Sequence, residues 1–185
     1  MRLLTITGVG GTGKTSLAQQ AGWKLMESFR DGIFFIDLAP IKDASLVLST
    51  VAAAINLHQL PGKPVKMVLA EHLAQRTMLL ILDNFEQVLP AGGELVDLIR
   101  SAPQLKLIVT SRELLHLSPE IQYTLSPMRL PPTVSSYETI QENEAVRLFL
   151  ERAQVIQPDL RLSAKNGDDI AEICRRLDGL RWRLS

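Results

Sequence analysis

Short apolar runs separated by stretches of helical spacing set the rhythm of this chain. Leu3-Leu4-Thr5-Ile6-Thr7 reads as a first strand. From Lys14 to about Ser28 the apolar residues Leu17, Ala21 and Leu25 recur every four positions, which predicts a helix with that buried stripe. Asp31-Gly32 signals a turn, Ile33-Phe34-Phe35-Ile36-Asp37 a second strand, and Pro40 its end. Helical spacing returns from about Ala44 to Asn56 (Leu46, Val47, Val51, Ile55). After the loop Pro61-Gly62-Lys63-Pro64 it appears again from Val65 to Arg76 (Val68, Leu69, His72, Leu73). Met78-Leu79-Leu80-Ile81-Leu82 is apolar throughout and ends in Asp83, the mark of a strand covered on both faces of a parallel sheet. A helix over Glu94 to Ser101 (Leu95, Leu98, Ile99) leads to a strand over Leu105-Lys106-Leu107-Ile108-Val109 that ends in Thr110-Ser111-Arg112. Ile121-Gln122-Tyr123-Thr124-Leu125 alternates and reads as an edge strand. Strands alternating with helices predict an α/β fold, a parallel sheet with right-handed crossovers.

The pattern changes at Pro127 to Ser136, a stretch rich in proline, serine and threonine. Beyond it the spacing is helical only, over about Glu142 to Gln154 (Val146, Phe149, Leu150, Ala153) and Gly167 to Leu177 (Ile170, Ile173, Cys174, Leu177). The expected organisation is therefore an α/β domain over 1–130 and a partial helical unit over 137–185. Two short helices bury little apolar surface alone and need a neighbour to dock on.

Composition narrows the class. The chain has 185 residues, with 46% hydrophobic and 22% charged, as in soluble globular proteins. Its formal charge of zero gives no bulk attraction to nucleic acid or an anionic membrane, so direct nucleic-acid binding by this segment is not expected. No apolar run is long enough to span a bilayer, and the glycines from Gly8 cut short anything resembling an export signal. The single cysteine, Cys174, excludes an internal disulfide and suits a reducing cytoplasm. On an amphipathic helix it reads as a small buried apolar residue. His58, His72 and His116 show no metal-ligand spacing. Trp23 and Trp182 read as packing residues, and the charges over Glu138 to Arg152 as an exposed helix face.

The most informative chemistry lies between the first strand and the first helix. Gly8-Val9-Gly10-Gly11-Thr12-Gly13-Lys14-Thr15 is a P-loop (Walker A) pattern in its proper setting of strand, glycine-rich turn and helix. Gly8, Gly10, Gly11 and Gly13 let main-chain amides wrap a triphosphate, with Thr12 and Ser16 completing the expected cofactor-binding run. Lys14 would reach the β- and γ-phosphates, Thr15 would hold Mg2+, and the helix N-terminus favours the same anion. The segment is expected to bind a nucleoside phosphate.

Asp83 has the position of a Walker B aspartate, and the carboxyl ends of parallel strands open onto one crevice. A magnesium role for Asp83 competes with simple capping of a short helix after it. At the next strand end, Thr110-Ser111-Arg112, a hydroxyl and the Arg112 guanidinium could sense or clamp a γ-phosphate; equally, Ser111 could be a helix cap with Arg112 in solvent. Asn84 stands where rapid ATPases carry a second acid, and an amide cannot accept the proton of an attacking water. Glu86 could substitute, although such a glutamate is more often a solvated first-turn residue. Slow hydrolysis is expected.

Four stretches in this order resemble one family. They are Thr7 to Thr15, Leu80-Ile81-Leu82-Asp83-Asn84-Phe85-Glu86, Val109-Thr110-Ser111-Arg112-Glu113, and Ala171 to Leu180. Together they look like the NB-ARC-like ATPase module of the STAND class, in the version found in large bacterial transcriptional regulators. Phe35-Ile36-Asp37-Leu38-Ala39-Pro40 and Glu144-Ala145-Val146-Arg147-Leu148-Phe149 fit the same pattern.

The resemblance implies a three-layer P-loop sandwich with the Leu105–Thr110 strand between the Walker A and Walker B strands. It also implies ATP/ADP and Mg2+ as cofactors, with Lys14, Asp83 and Arg112 as the reacting-site residues and Arg112 as the γ-phosphate sensor. A further implication is a switch, closed with ADP and open and oligomerising with ATP, joined to other domains of a larger regulator. Three departures concern the ends: an upstream Gly-Arg-Glu motif is absent, Gly179-Leu180 runs on as Arg181-Trp182-Arg183 where the family has Pro-Leu-Ala, and the family's remaining helices, winged-helix sensor and DNA-binding or repeat domains are absent from this segment. They imply a segment truncated at both ends, with an incomplete adenine pocket.

Two other classes compete. A turnover enzyme such as a kinase or AAA+ ATPase would need an acceptor pocket, a lid or an acid at position 84. A degenerate scaffold would bind no nucleotide at all.

Overall fold

In the computed structural model, which describes residues 1–58, 61–133 and 135–177, the apolar runs pair into one parallel sheet. Its strands are β1 (Leu3–Thr7), β2 (Ile33–Asp37), β3 (Leu79–Asp83), β4 (Lys106–Ser111) and β5 (Glu120–Thr124), in the order β2-β3-β4-β1-β5. The expected insertion of the fourth strand between the first and third is present, and β5 lies at an edge. Register then fixes which side chains meet: Asp37 is level with Asp83, Leu82 with Val109, and Thr7 with Ser111.

Alternation along the strands gives the sheet two apolar faces. Leu3, Ile36, Leu80, Leu82, Leu107 and Val109 pack beneath α2 (Val47–Ala54), α3 (Val65–Leu73) and α4 (Gly92–Ser101). Those helices contribute Val47, Val51, Leu69, Leu73, Leu95 and Leu98. Each such side chain contributes roughly 1.5–3 kcal/mol by leaving water.

On the opposite face α1 (Lys14–Lys24) packs against β1, β3 and β4. The result is a three-layer α/β sandwich.

The face that α1 buries differs from the expected one. Its buried residues are Lys14, Ala18 and Gly22, whereas Leu17 and Ala21 are half-buried and Leu25 is exposed. The stripe consists of small residues because the helix sits close to the sheet: a Cβ on Gly22 would stand 2.8 Å from Ile81 Cδ1 and 3.5 Å from Ile33 Cγ2. Trp23 is not a packing residue; it is 71% exposed. Trp182 and the Asp178-Gly179-Leu180 end of the family motif lie outside the described residues.

Element ends also shift. The second helix begins as a 3-10 turn over Ala44–Leu46, where the Asp43 carboxylate accepts from Ser45 N, and the third stops at Leu73.

The contacts divide the chain into Met1–Thr7 with Lys14–Thr124, and Gly8–Gly13 with Leu125–Ser185. In the second unit a helix that the sequence pattern did not separate, α5 (Tyr137–Glu142), precedes α6 (Glu144–Ile156) and α7 (Gly167–Arg176). Asn143 divides α5 from α6: it is extended, with φ −70° and ψ 131°, and its side chain accepts from Ala145 N and Val146 N. Ile140, Ala145, Val146, Ile170, Ala171 and Cys174 form the small core, flanked by Phe149 and Leu150. Ile173, expected on the buried face, is 41% exposed, and Ala171 takes its place. Cys174 is buried, and that burial pushes its thiol up to about 11. Among the described residues no helix is long and apolar enough to cross a membrane.

Candidate functional site

β2, β3 and β4 end side by side, and Asp37, Asp83 and Thr110 at those ends carry the candidate site. Asp83 closes β3 with its carboxylate buried, on the face that α1 covers. Thr15, in the first turn of α1, places its Oγ1 2.9 Å from Asp83 Oδ1 and 3.0 Å from Oδ2. The buried Thr110 hydroxyl also donates to Asp83 Oδ1. The two expected metal ligands are thus neighbours. A threonine from β4 joins them because one residue past the Leu82–Val109 pair brings Asp83 beside Thr110.

Asn84 follows in the left-handed region with φ 60°, a conformation that asparagine tolerates better than most residues. Its main-chain N–H donates to Thr110 Oγ1 at 3.0 Å. Its amide nitrogen lies 3.0 Å from Asp37 Oδ1 and 3.1 Å from Asp83 Oδ2. The amide therefore ties two strand-end carboxylates together. Asp37 carries no role in the sequence reading, and Thr110 only that of a strand-end hydroxyl near a γ-phosphate, not of a partner to Asp83. The legible signal was that Phe34-Phe35-Ile36-Asp37 ends in a carboxylate just as Leu80-Ile81-Leu82-Asp83 does.

Lys14 is 8% exposed at the start of α1. Burial lowers its ammonium below the usual lysine range. The Glu86 carboxylate opposes that shift, the Arg112 guanidinium adds to it, and Asp83 opposes it to a smaller degree.

Glu86 lies in the 3-10 turn Phe85–Gln87 that follows β3. It is not a solvated first-turn residue: its side chain is 11% exposed. Arg112 Nε forms an ion pair with Glu86 Oε1 at 3.1 Å from a side chain that is 66% exposed. The other oxygen, Oε2, is buried without a hydrogen-bond partner among the described residues. Ser111 Oγ accepts from Glu113 N at 3.2 Å, a local turn with no helix behind it.

The glycine-rich turn belongs to the second unit. Gly8 has φ 152°, and a Cβ there would collide with the Leu125 carbonyl oxygen, so only glycine fits. Gly11 and Gly13 have φ 83° and 90°, while Gly10 is exposed without a positive φ. Thr12 is buried and donates to Val9 O at 3.0 Å, closing the turn on itself. Ser16 is exposed.

The oxygen donors suit magnesium. Thr15 and Asp83 offer one hydroxyl and one carboxylate within hydrogen-bond distance of each other, the sparse protein ligation that a hard, strongly hydrated ion accepts beside phosphate. Among the described residues no group of three His, Cys, Asp or Glu could hold a metal unaided.

Relatives match nearly the whole segment. A proposed HTH-type transcriptional regulator of Mycobacterium tuberculosis is 38% identical over 180 residues, which is 97% of this chain and 19% of that protein. An uncharacterized protein of the same organism is 33% identical over 180 residues, again 97% of this chain and 43% of that protein. The chain thus spans about a fifth and somewhat under half the length of these relatives. No protein-family model matches it.

Among solved structures, the ORC2 protein of Aeropyrum pernix, in ADPNP and ADP complexes, superposes with a TM-score of 0.58 at 15% identity, covering 92% of this chain and 61% of that one. A signal transduction ATPase with numerous domains (STAND) from Pyrococcus horikoshii, with a tetratricopeptide repeat sensor, gives 0.57 at 14% identity, covering 99% and 26%. Cdc6p of Pyrobaculum aerophilum gives 0.56 at 19% identity, covering 83% and 43%. The shared property is the α/β fold of P-loop ATPases.

Proposed function

We propose that this segment is the ATP/ADP-binding core of a STAND-type signalling switch within a larger transcriptional regulator. The observation that carries this reading is the direct hydrogen bonding of the Thr15 hydroxyl to both oxygens of Asp83 beside the buried Lys14. Lys14 supplies the ammonium for the β- and γ-phosphates, and the glycine-rich turn (Gly8, Gly10, Gly11, Thr12, Gly13) supplies main-chain amides. Thr15 and Asp83 hold Mg2+, whose charge neutralises the phosphate oxygens when bound. Arg112 reads the γ-phosphate.

Hydrolysis is slow in this account. The amide of Asn84 is engaged by Asp37 and Asp83, so it neither accepts a proton nor stands free to orient water. A nucleotide that persists can bias two arrangements of a multidomain chain, provided its γ-phosphate interacts with them unequally. Other domains of the same protein, and other copies in the ATP state, are the partners this reading requires; the compartment is the cytoplasm.

The test is titration calorimetry with ATP and magnesium. The native chain binds and Lys14→Ala does not. Equal affinity in the two proteins would overturn the reading.

A further inference from the structure

The Arg112–Glu86 pair is lopsided. Glu86 is anchored: its turn is fixed by Phe85 and Val88, both fully buried, and its side chain is 11% exposed. Arg112 follows β4 in a stretch without helix or strand and has two thirds of its side chain in water. If the pair opens, the guanidinium is the part that moves. Glu86 Oε2 already lacks a hydrogen-bond partner among the described residues, so losing Arg112 would take the ion-pair partner from a largely buried carboxylate.

A guanidinium prefers planar oxyanions, and carboxylate and phosphoryl oxygens compete for the same fork. The competition takes place beside Lys14, which feels both Glu86 and Arg112.

We propose that Glu86 is a positioning residue that holds Arg112 in place of a terminal phosphoryl group, and so sets how strongly the site prefers nucleoside triphosphate over diphosphate. This rests on the nucleotide-binding reading above. Binding a triphosphate transfers the guanidinium from Glu86 to the γ-phosphate and leaves the Glu86 carboxylate facing added negative charge. Binding a diphosphate leaves the pair intact. The cost of opening the pair therefore weakens triphosphate binding alone, and the preference for triphosphate is smaller than Arg112 could deliver unopposed. No bond is made or broken covalently.

The experiment is calorimetric titration of the native chain, Glu86→Gln, Arg112→Ala and the double variant with a non-hydrolysable β,γ-imido ATP analogue and with ADP, magnesium present throughout. Glu86→Gln keeps the shape and removes the charge. It is expected to tighten the triphosphate by about three- to tenfold and to leave ADP within about twofold. In the Arg112→Ala background the same substitution is expected to change triphosphate affinity by less than about twofold, because the competitor then has nothing to hold.

Equal tightening of both nucleotides, weaker triphosphate binding, or the same gain without Arg112 would overturn the proposal while leaving nucleotide binding intact. A native chain that binds neither nucleotide would overturn the nucleotide reading, and the proposal with it. The native protein gives a second readout that needs no variant, the side-chain Nε–H resonance of Arg112. It is expected to move on adding the triphosphate analogue and to stay in place with ADP; no movement with a bound triphosphate would also overturn the proposal.

Discussion

The Thr15 hydroxyl reaches both carboxylate oxygens of Asp83, at 2.9 and 3.0 Å, although 68 positions separate them in sequence. The sheet order accounts for this. With β4 between β1 and β3, the helix that leaves β1 crosses to the far side of β4 and meets the end of β3. The same convergence brings Thr110 to Asp83 and, through Asn84, ties in Asp37.

Asn84 is expected to hold the two strand-end carboxylates at their present spacing. Asn84→Asp would place three carboxylates together, since Asp37 and Asp83 lie within 3.1 Å of the amide nitrogen. Like charges at that spacing are costly. Chemical denaturation should show a loss of about 1–3 kcal/mol, partly recovered by magnesium. An unchanged midpoint without magnesium would mean that the amide bridges nothing of consequence.

Gly22 tests the close seat of α1. Alanine there gains up to about 1 kcal/mol of helix propensity, while its Cβ needs only the flexible Ile81 Cδ1 to give way. Gly22→Ala is expected to fall within about 1 kcal/mol of the native chain. Gly22→Leu overpacks the layer and should cost about 1–3 kcal/mol. Urea unfolding of both variants measures the difference, and a tolerated leucine would show that helix and sheet are not in tight contact.

Cys174 reports on the helical unit. With the thiol pushed up to about 11 against an ordinary 9.0, the folded state disfavours the thiolate. Labelling by a thiol reagent at pH 8 should be slow in the native chain and fast in denaturant. The sign of the linkage follows: the contribution to stability is whole below pH 9 and declines as pH rises towards 11. The slope there is on the order of 1.4 kcal/mol per pH unit. Rapid labelling under native conditions would contradict the burial.

Asn143 is the cap that starts α6, accepting from Ala145 N at 3.0 Å and Val146 N at 3.3 Å. Asn143→Ala should cost about 1 kcal/mol, and Asn143→Asp should restore most of it. Differential melting of the three proteins distinguishes a cap from an incidental contact.

Much of the candidate site was legible because its residues are local in sequence. The glycine spacing, Lys14 and Thr15 are contiguous, and Asp83 is marked by the apolar run that it ends. Strands β2, β3 and β4 were legible for the same reason, since each is a short apolar run with a polar stop.

The buried stripe of α1 was not. Ala18 and Gly22 carry almost no hydrophobic signal, so the larger Leu17 and Leu25 dominated the periodicity even though closeness to Ile81 requires small residues. Asp37 and Thr110 become neighbours of Asp83 only through strand register, which the local pattern does not encode. Glu86 read as a surface residue because its burial depends on how the turn after β3 is held by Phe85 and Val88. The break at Asn143 was hidden by flanking residues that all favour helix; the asparagine cap was the signal that mattered.

In the proposed switch Thr15 and Asp83 share one hard cation beside Lys14. The direct measurement is the affinity of the native chain for ATP by titration calorimetry, once with magnesium and once with the metal chelated. Magnesium is expected to tighten binding by at least about tenfold, and Asp83→Asn to abolish that difference. Equal affinity with and without the metal in the native chain would contradict the account.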